Sequence, residues 1–239
     1  MRSFRNPFTI DEVREFWDMV AHKYESTNKT VGYVHYQRYE KTLEYGDLKP
    51  GQRVLNVWSR TGLLIPYLRR TKNLTIENRE ASPGMMELAR QNFPNEKFAS
   101  TDLKDFSEFP DNTFDRITSL ETLEHVPDPE AYLTELHRIC KPTGKVILSL
   151  PPRGFEIPTR IWDKLFDNHG EGPHQFLNPS EVKELLSRAG FTPTFHKGFI
   201  ILPLGNDKLE RLSETVLTTL FGWTPIVNCG VRHFYVAQK

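Results

Sequence analysis

Apolar positions recur first at helical spacing. Ile10, Val13, Phe16, Trp17 and Val20 fall three or four residues apart. The helix they predict opens on Thr9 as N-cap with Glu12 three residues later, a pair that satisfies each other's orphan backbone donors. The second half of this segment is aromatic, with Tyr24 followed by Tyr33, Tyr36 and Tyr39 at intervals of three. On a helix the last three form one stripe, which reads either as a face packed on the main body or as a lid whose tyrosines line a substrate pocket.

After a turn at residues 47–52 the period alternates between strand and helix. Buried strands are predicted at 54–57, 74–77, 98–99, 114–120 and 145–150, and helices at 62–70, 83–92 and 129–140. Ser82 caps the second of these helices with Pro83 in its first turn, and residues 141–144 form a turn before the fifth strand. This interleaving predicts a parallel sheet covered on both faces, which binds ligands at the carboxyl ends of its strands near the switch in strand order. Beyond Pro151 and Pro152 come a polar loop, a helix at 179–189 closed by Gly190, a strand within 191–202, a helical stretch at 207–220 and a last strand at 231–237.

Composition narrows the partners. The 239 residues hold 31 basic and 31 acidic side chains, so no global field draws the chain to nucleic acid or anionic membrane, and no basic run carries interleaved aromatics. Length allows one domain with an appended lid, divided here as residues 1–46 and 47–239. Cys140 and Cys229 make neither a disulfide framework nor a metal pair, no apolar run reaches membrane-spanning length, and the first residues lack the apolar core of a signal peptide. The expectation is a cytoplasmic protein, monomer or homodimer, without an integral membrane segment.

Three stretches carry chemistry. Arg53 to Gly62 is a short strand running into a turn, with Asn56, Trp58, Arg60 and Gly62 at alternate positions; Glu80-Ala81-Ser82-Pro83-Gly84-Met85-Met86 and Thr101-Asp102-Leu103 end the next two strands. The third stretch is Leu120-Glu121-Thr122-Leu123-Glu124-His125-Val126-Pro127, preceded by Pro110-Asp111-Asn112-Thr113-Phe114-Asp115 and followed by Leu136-His137-Arg138-Ile139-Cys140-Lys141-Pro142. In this order they resemble the class I S-adenosylmethionine-dependent methyltransferases of the ubiquinone-biosynthesis type, over residues 50 to 200. The resemblance implies a three-layer, Rossmann-like α/β sheet, mostly parallel with an antiparallel last strand, and an N-terminal helical lid.

It also implies S-adenosylmethionine as cofactor, with S-adenosylhomocysteine as product. Glu80 would accept both ribose hydroxyls, a task suited to one carboxylate facing a cis-diol. Asp102 would receive the adenine amino group beside Leu103, Ala81 would flank Glu80, and Leu120 and Glu121 would pass beside the transferable methyl. His125 is the candidate base, with His169 and His174 of the polar loop as further candidates, because imidazole titrates near neutrality. Asp167, His169, Glu171 and His174 offer metal-ligand types, but their spacing fits no compact zinc pattern, and no metal is expected. Tyr24, Tyr33 and Tyr36 are the candidates for the acceptor pocket, and Trp17 joins them as an aromatic face for the cationic donor.

The first stretch departs from the pattern. The resemblance calls for an acid at 56 and glycines at 58 and 60, where backbone approaches the cofactor; the chain has Asn56, Trp58 and Arg60 and keeps only Gly62. Arg60 reads as a bidentate partner for the methionyl carboxylate or as a plug in the ligand's place. The expected function is methyl transfer to a small apolar or aromatic acceptor such as a quinone, lipid or natural product. The alternatives are a silent methyltransferase-fold binding protein and an enzyme that uses the cofactor for a non-methylating reaction.

Overall fold

The computed structural model describes residues 4–30, 32–157, 159, 170–202, 204 and 206–239. Helices α1 (Ile10–Thr30) and α2 (Gly32–Gly46) open the chain. Then follow β1 (Arg53–Val57), α3 (Ile65–Leu68), β2 (Thr75–Glu80), α4 (Pro83–Asn92), β3 (Phe98–Ser100), β4 (Phe114–Leu120), α5 (Pro129–Ile139) and β5 (Cys140–Leu150). The chain ends with α6 (Pro179–Arg188), β6 (Thr192–Phe199), α7 (Asp207–Phe221) and β7 (Arg232–Gln238).

One seven-stranded sheet has the order β3-β2-β1-β4-β5-β7-β6. The strands from β1 to β5 pair in parallel, and β7 runs antiparallel to both β5 and β6, as the pattern and the resemblance together imply. Because side chains alternate across a strand, each central strand feeds two cores. Leu55, Val146, Leu148 and Tyr235 pack with α1, α5 and α6, whereas Val54, Ile147, Phe234 and Val236 pack with α2 and α3. Strand order switches between β1 and β4, so their carboxyl ends open the crevice where such sheets bind ligands.

Local chemistry explains where the elements begin. Thr9 and Glu12 exchange the expected bonds, 2.7 Å from Thr9 N–H to Glu12 and 3.3 Å from Glu12 N–H to the Thr9 hydroxyl. Ser82 caps α4 by accepting from Met85 N–H, as its sequence predicts. Two expectations need correction. The helix expected over 62–70 shrinks to four residues, because Gly62 is left-handed and the flanking bonds from Ile65, Tyr67 and Arg70 N–H each reach back only three residues. The turn expected at 141–144 lies inside β5 as an irregularity, with Phe114 opposite Cys140 but Arg116 opposite Lys145.

Helix α7 is inverted relative to an ordinary surface helix. Its buried glutamates face α2, where Glu214 accepts from the Tyr33 hydroxyl at 2.6 Å and Glu210 from Val34 N–H at 3.2 Å. Leu209, Leu212, Val216 and Leu220 are exposed instead. No described helix is long and apolar enough to cross a membrane.

The N-terminal helix is tied to the start of α4. Asp18 of α1 accepts from the Ser82 hydroxyl at 2.5 Å and from Gly84 N–H at 2.8 Å, so it satisfies an orphan donor of α4's first turn. Asp18→Ala is expected to lower stability by about 1 kcal/mol, the usual cost of a lost N-terminal cap, in urea denaturation. An unchanged midpoint would show that α1 does not depend on this tie.

Candidate functional site

Five residues at the carboxyl ends of the parallel strands adopt the left-handed backbone. Trp58, Arg60 and Gly62 follow β1 with φ of 54°, 52° and 85°; Leu103 follows β3 at 58°, and Glu121 follows β4 at 50°. The turn after β1 therefore keeps a glycine backbone at the positions of Trp58 and Arg60. Each non-glycine residue held there costs about 1–2 kcal/mol, and such outliers gather at ligand sites. At Gly62 a side chain is excluded, since its Cβ would stand 2.7 Å from the Phe93 ring.

Glu80, at the end of β2, holds this turn. One carboxylate oxygen accepts from Arg60 N–H at 2.5 Å and the other from Ser82 N–H at 3.0 Å. Burial pushes this carboxyl up to about 7, against the charge of Arg60 and the two backbone N–H groups, which favour the ionised form. A carboxylate has about four lone-pair positions, so two acceptor positions remain beyond the loop amides. Ala81, beside it, is buried and its carbonyl accepts from Arg14 at 3.1 Å.

The Arg60 side chain turns inward. Its guanidinium carbon lies 3.7 Å from the Trp17 ring centroid and 3.8 Å from that of Trp58, a cation held between two indoles. Nη2 reaches the Glu121 carbonyl at 3.5 Å, while Nη1 has no hydrogen-bond partner. Three consecutive residues share this condition, for the Ser59 hydroxyl, Arg60 Nη1 and the Thr61 hydroxyl are all buried without a partner. Buried polar atoms are nearly always bonded, so such a cluster marks a place where a polar ligand or water belongs.

His125 closes the other side. It is buried edge-on to Trp17 and Trp58, at centroid distances of 5.6 and 5.2 Å, and Nδ1 lies 2.8 Å from the Pro173 carbonyl. Because only an N–H can bond a carbonyl, Nδ1 carries the hydrogen and the neutral ring presents Nε2 as a lone pair. Burial, helped by the Arg60 charge, holds its pKa well below the ordinary histidine value. The preceding residue, Glu124, is buried with both carboxylate oxygens unbonded, and burial together with the Glu121 charge holds its proton well above the usual carboxylate range. Glu121 accepts from the Ser149 hydroxyl at 2.7 Å and lies 3.5 Å from Arg232 Nε.

The structure thus brings Trp58, Arg60, Glu80, Glu121 and His125 together with Tyr24, whose hydroxyl accepts from Arg38 at 3.3 Å. Leu120 ends β4 among the apolar residues of the α2 side. The other candidates have partners of their own. Asn56 is locked inside the sheet, donating to Asn78 at 3.0 Å and accepting from Thr118 at 3.3 Å. Asp102 caps its own turn, accepting from Lys104 and Asp105 N–H at 2.9 Å each, and Leu103 is buried after it. Tyr33 is turned to α7, and Tyr36 stands beside His35 and Tyr39. His174 lies 6.3 Å from His125 between centroids, with Nδ1 bonded to the Gly172 carbonyl; His169 and Asp167 lie outside the described residues. The loop that carries His174 crosses the site, since Gln175 N–H bonds the Glu124 carbonyl and a Cβ at Gly172 would meet the Phe16 ring.

Sequence reasoning missed Glu124, Arg38 and Arg232. Glu124 sits inside a stretch already singled out, but only its burial distinguishes it from the glutamate three residues earlier.

A family model described as a methyltransferase domain matches residues 32–194. The demethylmenaquinone methyltransferase of Renibacterium salmoninarum is 32% identical over 141 residues, 58% of each chain. The ubiquinone biosynthesis O-methyltransferase of Dinoroseobacter shibae is 30% identical over 179 residues, covering 69% of this chain and 72% of that one. The chain thus spans a little over half of the first relative and nearly three quarters of the second. Among solved structures, the Haemonchus contortus phosphoethanolamine N-methyltransferase 2 in complex with S-adenosyl-L-methionine superposes with a TM-score of 0.70 at 18% identity, over 95% of this chain and 59% of that one.

The Glu80 carboxyl gives a signed pH effect. Folded, it keeps its proton up to about 7, whereas unfolded it releases it near the ordinary value of 4.5. Between these values the folded state binds more protons, so its share of stability is present at low pH and is lost as pH rises through 7. From pH 5.5 to 7.5 the wild type should lose about 2 kcal/mol more than Glu80→Gln in urea denaturation. Parallel pH profiles for the two proteins would contradict this.

Proposed function

The chain belongs to the methyltransferase-domain family, and from that premise we propose that it transfers the methyl group of S-adenosylmethionine to a small apolar or aromatic acceptor. The observation that carries this reading is the turn at residues 58–61, where a glycine backbone survives and buried polar atoms on three successive residues, Ser59, Arg60 and Thr61, lack partners. The chemistry of the remaining donors and acceptors fits a nucleoside with a zwitterionic tail. Glu80 has acceptor positions for a ribose diol, and Asp102 with Leu103 stands at the end of β3 for the adenine. A guanidinium at Arg60, withdrawn from between the indoles, would bind the methionyl carboxylate as a bidentate fork.

The bound donor supplies an activated methyl on a sulfonium, which leaves as a neutral thioether when the acceptor attacks. The protein therefore has to align the acceptor, exclude water and accept a proton. Residues 1–46 serve as the lid, with Trp17 and Tyr24 of α1 roofing the crevice; Trp17 and Trp58 give the cationic donor aromatic faces. His125 is the base, because its bond to Pro173 leaves Nε2 free to take a proton from an acceptor hydroxyl or ammonium. The quinone-type acceptors named for the two relatives support an apolar, aromatic acceptor here, and the cysteine usage supports action in the cytoplasm. A second reading is favoured by the same Arg60: with its guanidinium between the indoles, the protein would be a silent member of the family that binds a partner or another ligand.

Calorimetry with S-adenosylhomocysteine separates the two. The methyltransferase reading expects saturable binding that Glu80→Ala weakens ten- to a hundredfold, since a charged hydrogen bond contributes about 1.5–3 kcal/mol. No heat at millimolar ligand would refute it. Arg60→Gly divides the roles of the arginine: tighter binding identifies a plug, and binding weakened about tenfold or more identifies the carboxylate partner.

A further inference from the structure

Three guanidinium groups from distant parts of the chain are buried at this crevice. Arg38 of α2 and Arg60 are each 7% exposed and Arg232, at the start of β7, is 4% exposed. Two of them reach Glu121, and Arg38 is near enough to feel its charge. Arg232 Nε lies 3.5 Å from its carboxylate and Arg60 Nη2 lies 3.5 Å from its carbonyl, while Arg38 feels its charge through the cluster of Tyr24 and Tyr39, to whose hydroxyls it donates at 3.3 and 3.2 Å. Each guanidinium nevertheless leaves one buried nitrogen without a hydrogen bond: Arg38 Nε, Arg60 Nη1 and Arg232 Nε.

The negative charge at hand does not match them. Glu121 is one carboxylate, already shared with Ser149. Glu80 is turned to the loop amides and stands against Arg60 alone. Glu124 has both oxygens unbonded, and burial with the Glu121 charge beside it raises its pKa well above the carboxylate range and so disfavours its anion. On the α7 side Glu214 is bonded by Tyr33 and lies 3.8 Å from Lys41, and Glu210 is bonded by Val34 N–H. Arg232 is otherwise fixed by neutral groups, donating to the Val34 carbonyl at 2.8 Å and the Gln37 amide oxygen at 3.2 Å. A buried charge without a full partner is costly, and proteins keep one where a ligand completes it. S-adenosylmethionine does not, because its sulfonium and ammonium outweigh its single carboxylate and it brings a net positive charge.

We propose that the second ligand of this crevice carries an anionic group, a carboxylate or a phosphate, which Arg38 and Arg232 bind across Glu121. This rests on the methyltransferase reading for the identity of the ligand as acceptor, but not for the anion site itself. It divides the acceptor in two. The apolar part lies against the aromatic residues of α1 and the turn after β1, and the anionic part is held by the unbonded Nε–H of each of the two guanidinium groups, which orients the nucleophile toward His125.

The test titrates the whole protein by calorimetry with inorganic phosphate, with benzoate and, as a neutral control, with benzyl alcohol, each with and without saturating S-adenosylhomocysteine. One of the two anions should bind, and which one does so separates a phosphate from a carboxylate acceptor; benzyl alcohol should bind at least tenfold more weakly. Arg232→Met should abolish the anion binding, and Arg232→Lys, which keeps the charge but not the Nε–H, should weaken it at least tenfold, while both variants melt cooperatively. Binding that persists unchanged in both variants, or no binding of either anion at about 10 millimolar, would overturn the proposal. Competition between the anion and S-adenosylhomocysteine would also overturn it, by assigning these arginines to the methionyl carboxylate. If S-adenosylhomocysteine fails to bind while an anion binds and responds to Arg232, the anion site stands and the methyltransferase reading falls.

Discussion

The carboxylate of Glu80 is the constraint on which the crevice depends. It stands at the end of β2, beside β1 and one strand from the switch in strand order, and it bonds the backbone of two different connections, the turn after β1 and the start of α4. Without those two acceptors the Arg60 amide, directed into a dry interior, would be an orphaned donor, and the strain of left-handed Trp58 and Arg60 would be left to the bonds of Ser59 and Gly62 N–H. The same burial that makes Glu80 an effective clamp also raises its pKa. One side chain therefore fixes two connections at once.

What the turn does with its side chains follows from charge. A glycine at 60 would leave the crevice open; an arginine there must put a guanidinium somewhere, and the two indoles of Trp17 and Trp58 offer the only aromatic faces described against it. Trp17 comes from the first helix, which Asp18 ties to α4, so the roof and the floor of the crevice are joined through one cation. Arg38 and Arg232 add charge that Glu121 cannot balance alone. The neutral His125 fits this setting, because beside a buried guanidinium an imidazolium is disfavoured and a lone pair on Nε2 is retained.

Much of this fold is legible in the order of residues, and the reasons are local. Thr9 with Glu12, and Ser82 with Pro83, announce their helices because caps act within one turn. Alternation of Val54 with Leu55, or Val146 with Ile147, announces a sheet with two covered faces. The short α3 was hidden because its apolar residues keep helical spacing while Gly62 and the turn before it use up the first positions. In the site, the places of Trp58, Arg60 and Glu80 can be named from motif order, whereas Tyr33 could not be assigned from spacing, since a helical stripe does not say that α7 will present glutamates to it. Arg232 reaches Val34 and Gln37 of α2 only because β7 turns back beside β5, a fact of topology that no short motif carries.

The central claim is that the turn after β1 is a ligand turn whose methionine end is filled by its own arginine. A crystal structure of the protein grown with S-adenosylhomocysteine tests it directly. The ribose is expected on Glu80 and the Arg60 guanidinium withdrawn from between Trp17 and Trp58. A nucleoside bound away from Glu80, or bound there with the guanidinium still between the indoles, would contradict it.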